Sequence, residues 1–262
     1  MARIWQHHTD LSLHHAALHH PDREPLWHPI RGNDGAGPAV VHQDPETLST
    51  WVVGPSAGPV PTMHDDALPW GAAHLLSKYL LAADGLGLRG KGLIELGAGC
   101  GMAGLSAACV GAVSLLTDRR PVAGGGIPSP RFLNLLVRNA AENSAAIVAG
   151  GGMVGVAELD WQAEEHSERA MAMLGAAGLN LGYIVASDVI YDRATTPDLI
   201  ATVARLRDLA SVAGPRPECL LAFNTRRSRG PSFELLTEMA AVRGWLLNPV
   251  ASEHGCTVYS VG

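Results

Sequence analysis

The stretch LIELGAGCGMAGL, residues 93–105, decides the fold of this chain. Its first residues form a short apolar strand, a glycine-rich turn follows, and the small residues after the turn predict a helix. Strand and helix patterns then alternate to the end of the chain. We predict strands at 92–96, 111–118, 153–159, 183–188, 218–224, 245–250 and 256–261, and helices at 102–110, 131–143, 162–175, 196–210 and 232–244. This alternation predicts an α/β fold with an open, mainly parallel sheet and helices on both faces.

The glycine turn and the acid that follows it indicate a nucleotide-like ligand. Gly99, Gly101 and Gly104 satisfy GxGxxG, and Asp118 follows at about the distance of a ribose-binding acid. Ligands of such sheets bind beyond the carboxyl ends of the strands, where the strand order reverses. The turns after LIEL, LLTD, AEL and YIVASD are therefore expected around one crevice. These letters alone also fit a nicotinamide dehydrogenase, or a turn with no ligand.

Glu95 argues against a phosphate on this turn, because a carboxylate two residues before it would repel a pyrophosphate. S-adenosylmethionine has no phosphate and carries an ammonium beside its sulfonium. Close approach of the ligand is possible at Gly97 and Gly99, and Asp118 can accept hydrogen bonds from both ribose hydroxyls. Glu95 either organises the loop or favours the cationic end of the ligand.

The bulk composition is that of a globular chain in a reducing compartment. Of 262 residues, 47% are apolar and 17% charged, and no uncharged apolar run is long enough to predict a membrane span. The net charge of −6 indicates no nucleic-acid partner, and RRSRG at 226–230 is the only short basic cluster. The four cysteines show no zinc-type spacing. With no secretory leader at the start, we expect a cytoplasmic protein, with the nucleus or an organelle left open.

Three regions are predicted. Residues 1–38 form a histidine-, proline- and glycine-rich extension; His15 and His19 have a helical spacing that can chelate a metal, but a polar extension without metal is favoured. Residues 39–90 contain a hairpin (39–53) and a helix (68–83) that pack on the core. Residues 91–262 form the ligand-binding core.

Several motifs in the same order resemble one family. LPWGAAHLLSKYL (68–80), the glycine turn, LLTDRRP (115–121), VAELDWQ (156–162), ASDVIYD (186–192) and LLAFNTRRSRG (220–230) resemble the protein lysine methyltransferases grouped as methyltransferase family 16. The resemblance runs from about Trp70 to the C-terminus. Cys100, where the family has threonine or serine, the long loop PVAGGGIPSP (121–130) and the histidine-rich start depart from the pattern.

This resemblance implies a Rossmann-like, seven-stranded class I methyltransferase fold with one antiparallel strand. It implies S-adenosylmethionine as cofactor, a lysine side chain of a protein as substrate, and Asp188 and Tyr191 as catalytic residues. The implied cofactor-binding residues are Trp70, Glu95, Gly97, Gly99, Asp118, Asp160, Trp161 and Ala186. We expect no membrane partner and favour a monomer. Methylation of protein arginine or histidine or of a small amine, and a non-catalytic cofactor-binding partner module, remain alternatives.

Overall fold

The computed structural model describes residues 39–42, 50–53, 71–82, 86–119, 131–190, 193–212, 214–224 and 231–262. The extension 1–38, Trp70, Tyr191 and the RRSRG cluster lie outside these residues. No helix in the described ranges is long and apolar enough to cross a membrane.

A seven-stranded sheet forms the centre of the molecule. Its strands, with the hairpin strands β1 and β2 preceding them, are β3 (Gly92–Leu96), β4 (Val113–Asp118), β5 (Met153–Glu158), β6 (Leu181–Ser187), β7 (Glu218–Asn224), β8 (Leu247–Glu253) and β9 (Cys256–Val261). Their order is β5-β4-β3-β6-β7-β9-β8. The pairs from β5 to β7 are parallel, whereas β9 is antiparallel to both its neighbours. The predicted mostly parallel sheet with one antiparallel strand is confirmed.

Helices cover both faces of this sheet. They are α1 (Gly71–Ala82), α2 (Met102–Cys109), α3 (Arg131–Glu142), α4 (Ser144–Gly150), α5 (Glu164–Ala176), α6 (Thr196–Ser211) and α7 (Pro231–Val242). Because strand side chains alternate between faces, Ile184 and Ala186 of β6 pack in a cluster with α5, α6 and α7, while Tyr183 and Val185 pack with α1 and α2. A further cluster joins α2, α3 and α4.

The predicted N-terminal hairpin is also present. Strand β1 (Ala39–His42) pairs antiparallel with β2 (Thr50–Val53), and Ala39 lies opposite Val53. Helix α1 packs its leucines Leu75, Leu76 and Leu80 in the same cluster as Leu93 of β3. Gly71, the first residue of α1, lies against Cys256, the first residue of β9. This second contact places the start of α1 near the carboxyl end of the parallel strands.

Candidate cofactor and catalytic site

The carboxyl ends of β3 and β6 meet where the strand order reverses. The chain leaves β3 toward β4 on one side, and β6 pairs with β3 on the other. Ligands of open α/β sheets bind at such a switch point. The four turns that the sequence places around one crevice follow β3, β4, β5 and β6, which are adjacent strands in the sheet.

The glycine turn after β3 has a left-handed backbone at three positions. Gly97, Gly99 and Gly101 have φ angles of 60°, 55° and 80°, which favour glycine because a Cβ would be strained there. A Cβ on Gly97 would also lie 2.8 Å from Cγ1 of Val189 and 3.3 Å from Cζ2 of Trp161. At Gly97 the main chain is therefore bare in a place with no room for a side chain.

Glu95 lies under this turn rather than at its surface. Its side chain is fully buried, and Oε2 accepts a hydrogen bond of 2.8 Å from the main-chain N–H of Gly104 in the first turn of α2. Burial raises the pKa of Glu95 to about 8, although the N–H groups of Gly104 and Ala103 favour the ionised form. Burial thus favours the protonated carboxyl. The contact that the structure shows for Glu95 is the one that organises the loop.

Asp118 ends β4 and holds the glycine turn from the other side. Its Oδ2 accepts a hydrogen bond of 2.8 Å from the main-chain N–H of Gly99, and its Oδ1 accepts one of 2.8 Å from that of Arg119. Burial raises its pKa, and the two N–H groups oppose that shift. Since each carboxylate oxygen can accept more than one hydrogen bond, Asp118 keeps acceptor capacity for a ligand hydroxyl beside the turn.

Asp160 and Trp161 follow β5. The indole of Trp161 lies against Gly97, so the β5 turn and the β3 turn are in direct contact. The main-chain carbonyl of Trp161 accepts a hydrogen bond from Thr202 of α6. Asp160 accepts one of 3.1 Å from the main-chain N–H of Gln162. These contacts fix a flat apolar ring, with an acid next to it in the chain, at the edge of the glycine turn.

Ala186 and Asp188 lie at the end of β6. Ala186 is fully buried between Leu96 and Leu221 on the neighbouring strands. Asp188 has a φ of 52°, an unusual conformation for a residue with a side chain. Its N–H donates to the carbonyl of Ala222 (2.8 Å), and its Oδ1 accepts from the N–H of Asn224 (3.3 Å). Strand β7 therefore fixes both the backbone and the carboxylate of Asp188.

The structure brings the described candidates to one rim, where Gly97 contacts Trp161 and Gly99 binds Asp118. Trp70 and Tyr191 stay predictions. Sequence reasoning missed Val189, whose methyl group lies against Gly97, and Asn139, whose Nδ2 donates to the carbonyl of Cys100 (2.8 Å). Val189 lies inside the ASDVIYD motif, which was the available signal for it.

Comparison with known proteins places this site in a family. The family model described as lysine methyltransferase matches residues 67–239. The chain belongs to this lysine methyltransferase family. The match covers the glycine turn, both strand-end acids and Trp161, and it confirms the family resemblance seen in the sequence motifs.

Several relatives of this lysine methyltransferase family member carry curated names. Protein N-lysine methyltransferase METTL21A is 32% identical in Xenopus tropicalis, over 56% of this chain and 57% of the relative, and 32% identical in Danio rerio, over 66% of each. Human methyltransferase-like protein 22 is 31% identical over 52% of this chain and 33% of its own length. The chain thus matches from a third to two thirds of the length of these relatives.

Solved structures show only a general likeness to this lysine methyltransferase family member. Magnesium protoporphyrin IX methyltransferase from Synechocystis PCC 6803 is 15% identical, with a TM-score of 0.46 over 72% of this chain and 80% of that one.

Proposed function

We propose that this protein transfers a methyl group from S-adenosylmethionine to a lysine side chain of a protein substrate. The observation that carries the proposal is the position of Asp188: in a member of the lysine methyltransferase family, β7 fixes this carboxylate at the rim that also holds the glycine turn. The relatives named protein N-lysine methyltransferases support a protein lysine as the acceptor.

The residues at the rim fit S-adenosylmethionine as cofactor. The bare main chain at Gly97, with Trp161 beside it, suits an uncharged adenosine better than a pyrophosphate, and Asp118 suits ribose hydroxyls. We assign Gly97, Gly99, Asp118 and Trp161 to the direct binding of the cofactor, and Glu95 and Ala186 to the shape of the pocket. When bound, the cofactor supplies a methyl group activated by a sulfonium.

Asp188 is proposed to hold and orient the incoming amine. A lysine amine has an unperturbed pKa of about 10.4 and arrives as an ammonium, which a carboxylate attracts. Correct alignment of the nucleophile accounts for much of the catalysis in a displacement of this kind. Tyr191, three residues further on, is proposed as a wall of the lysine channel. Solvent receives the proton that the amine releases.

The test combines cofactor binding with turnover. Asp188→Ala should bind S-adenosylmethionine within about threefold of the wild type, because Asp188 contacts β7 rather than the glycine turn, and it should lose methyl transfer by roughly a hundredfold or more. Asp208→Ala, an exposed acid on α6, is the matched control. Near-normal turnover by Asp188→Ala would overturn the role of Asp188.

The substrate is identified by incubating the protein with isotope-labelled cofactor and a cell extract, followed by mass spectrometry of the labelled residue. Label on a lysine supports the proposal, whereas label on arginine, histidine or a small amine contradicts it. We also propose a cytoplasmic location, which the four cysteines support, since all are free thiols buried in the fold.

A further inference from the structure

A buried arginine with incomplete hydrogen bonding lies at the edge of the sheet opposite the glycine turn. Arg207 of α6 is 2% exposed, and its Nη2 donates to the main-chain carbonyl of Val261 at the end of β9. Its Nε and Nη1 are also buried, and neither has an acceptor within the part of the chain that the structure describes. Burying charged donors without acceptors is costly, because they lose their hydration. Arg207 therefore needs acceptors that the described residues do not supply.

Two more arginines, together with Arg207, surround the indole ring of Trp245. The guanidinium carbons of Arg207, Arg216 and Arg243 lie 4.8, 5.8 and 5.9 Å from the centre of the Trp245 ring. Trp245 is buried, whereas Arg216 and Arg243 are exposed. No ion pair between described residues involves any of the three arginines. The cluster thus concentrates positive charge without a counter-ion from these residues.

The titratable groups nearest to Arg207 do not neutralise it. Burial lowers the pKa of Arg207; the Cys219 thiol opposes this shift and Arg216 adds to it. Burial raises the pKa of Cys219 to about 12, so this thiol is uncharged at neutral pH. Burial, and after it the carboxylate of Glu218, raises the pKa of Tyr183, whose side chain packs on the α1 face of the sheet, away from α6.

We propose that Arg207, Arg216 and Trp245 form a binding site for an oxyanion, the phosphate or carboxylate group of a ligand, at the amino-terminal edge of the sheet. Guanidinium groups bind such groups through paired, charge-assisted hydrogen bonds, and Nε and Nη1 of Arg207 are the donors that an oxyanion would occupy. Because both atoms are shielded from solvent, the side chains around Arg207 must rearrange for the ion to enter.

A neighbouring groove offers room for the rest of a larger ligand. It has a volume of about 470 Å³ and shares Arg243 with the cluster. The residues that line it are Ala201, Ala204, Arg205, Asp208, Leu209, Val212 and Arg243. The cluster lies at the start of β7 and the end of β9, so a ligand there does not compete with one at the glycine turn.

The experiment uses the full chain without cofactor. Inorganic phosphate, and separately acetate, is titrated against the protein at constant ionic strength maintained with sodium chloride, and the melting temperature is followed. A saturable rise with either anion is expected, because an ion that binds only the folded state stabilises it. Arg216→Gln should weaken the apparent affinity roughly tenfold, while Arg169→Gln, an exposed arginine on α5, should leave it unchanged.

The outcomes distinguish a phosphate ligand from a carboxylate ligand, and both from the absence of an oxyanion site. A response to phosphate alone assigns a phosphate ligand, and a response to acetate assigns a carboxylate. No saturable response to either anion overturns the proposal, and so does an equal response in wild type and Arg216→Gln. If Arg207→Met folds, it should abolish the response. If Arg207→Met does not fold, the comparison of wild type with Arg216→Gln decides the question. None of these results depends on methyl transfer.

Discussion

The raised pKa of Glu95 predicts an unusual dependence of stability on pH. Its pKa is about 8 in the folded protein, against 4.5 as the ordinary value. Between these two pH values the folded protein binds one more proton at this site than the unfolded chain. The free energy of unfolding must therefore fall as the pH rises. At 1.36 kcal/mol for each pKa unit, Glu95 should remove about 3–4 kcal/mol of stability between pH 5 and pH 8, and little more above pH 8.

Glu95→Gln tests this calculation because glutamine is uncharged at every pH and can still accept the hydrogen bond from Gly104. Its amide donors are buried where the carboxyl stood, which adds an offset of about 1–3 kcal/mol that does not vary with pH. The informative quantity is therefore how the difference in unfolding free energy between wild type and variant changes with pH. Urea unfolding of the cofactor-free protein at pH 5, 6, 7 and 8 gives both free energies by linear extrapolation.

Relative to Glu95→Gln, the wild type should lose about 3–4 kcal/mol across this range. Glu168→Gln on α5 controls for the loss of an exposed carboxylate. A wild-type minus Glu95→Gln difference that stays constant within about 1 kcal/mol would refute the reasoning, because Glu95 would then titrate alike in the folded and unfolded chains. S-adenosylmethionine binding adds a second reading: near-equal affinity of both proteins at pH 7 indicates that Glu95 only organises the loop.

Two further predictions concern the glycine turn. Gly104→Ala should destabilise the fold by about 1–3 kcal/mol, measured by thermal melts. The reason is that its Cβ would lie 2.3 Å from Cδ2 of Leu116 and 2.7 Å from Oε2 of Glu95. The control Gly175→Ala, whose Cβ would meet nothing within 4 Å, should be neutral or stabilising in the same melts. Asp118→Asn keeps an acceptor for the N–H of Gly99 but loses the negative charge. S-adenosylmethionine should therefore bind roughly tenfold more weakly to this variant, as measured by calorimetry. An affinity equal to that of the control variant Asp198→Asn would contradict the role of Asp118 in binding the ribose.

The sequence predicted the sheet well because most of its strands are buried on both faces. The strands at 92–96 and 218–224 have the predicted bounds, since each is an apolar run between polar or turn residues. Strand β6 begins two residues earlier than predicted. Gly182 bulges between Leu181 and Tyr183, which pair with Gly92 and Leu93. This glycine, two residues after polar Asn180, hides the start of the strand.

Two other differences come from helix packing and from the geometry of a turn. Helix α4 was missed because SAAIVAG is short and has no polar face, and it is held by packing of Ala146 and Ile147 in the cluster with α2 and α3. Strand β8 begins and ends later than predicted. Its end is set by a tight turn in which His254 and Gly255 both have positive φ, a combination typical of two-residue hairpins.

The candidate site could be located from the sequence, but its internal chemistry could not. The strand pattern placed Gly97, Asp118 and Asp188 at the ends of strands around one crevice. The sequence left open whether the side chain of Glu95 faces a ligand or the protein. Its burial and its hydrogen bond from the N–H of Gly104, which only the structure shows, place it against the protein. The left-handed backbone of Asp188 was also beyond the sequence, because it depends on hydrogen bonds to β7, a strand more than 30 residues later in the chain.

The central position of β3 makes the pocket a late product of folding. This strand pairs with β4, which follows directly, and with β6, which begins at residue 181. Contacts between segments so far apart form slowly, because a long loop must close first. A nascent or truncated chain that ends before β6 would have the glycine turn and Asp118 but only one wall of the pocket. Capture of the small molecule would therefore report that β6 has paired with β3, and could serve as a quality check on refolded material.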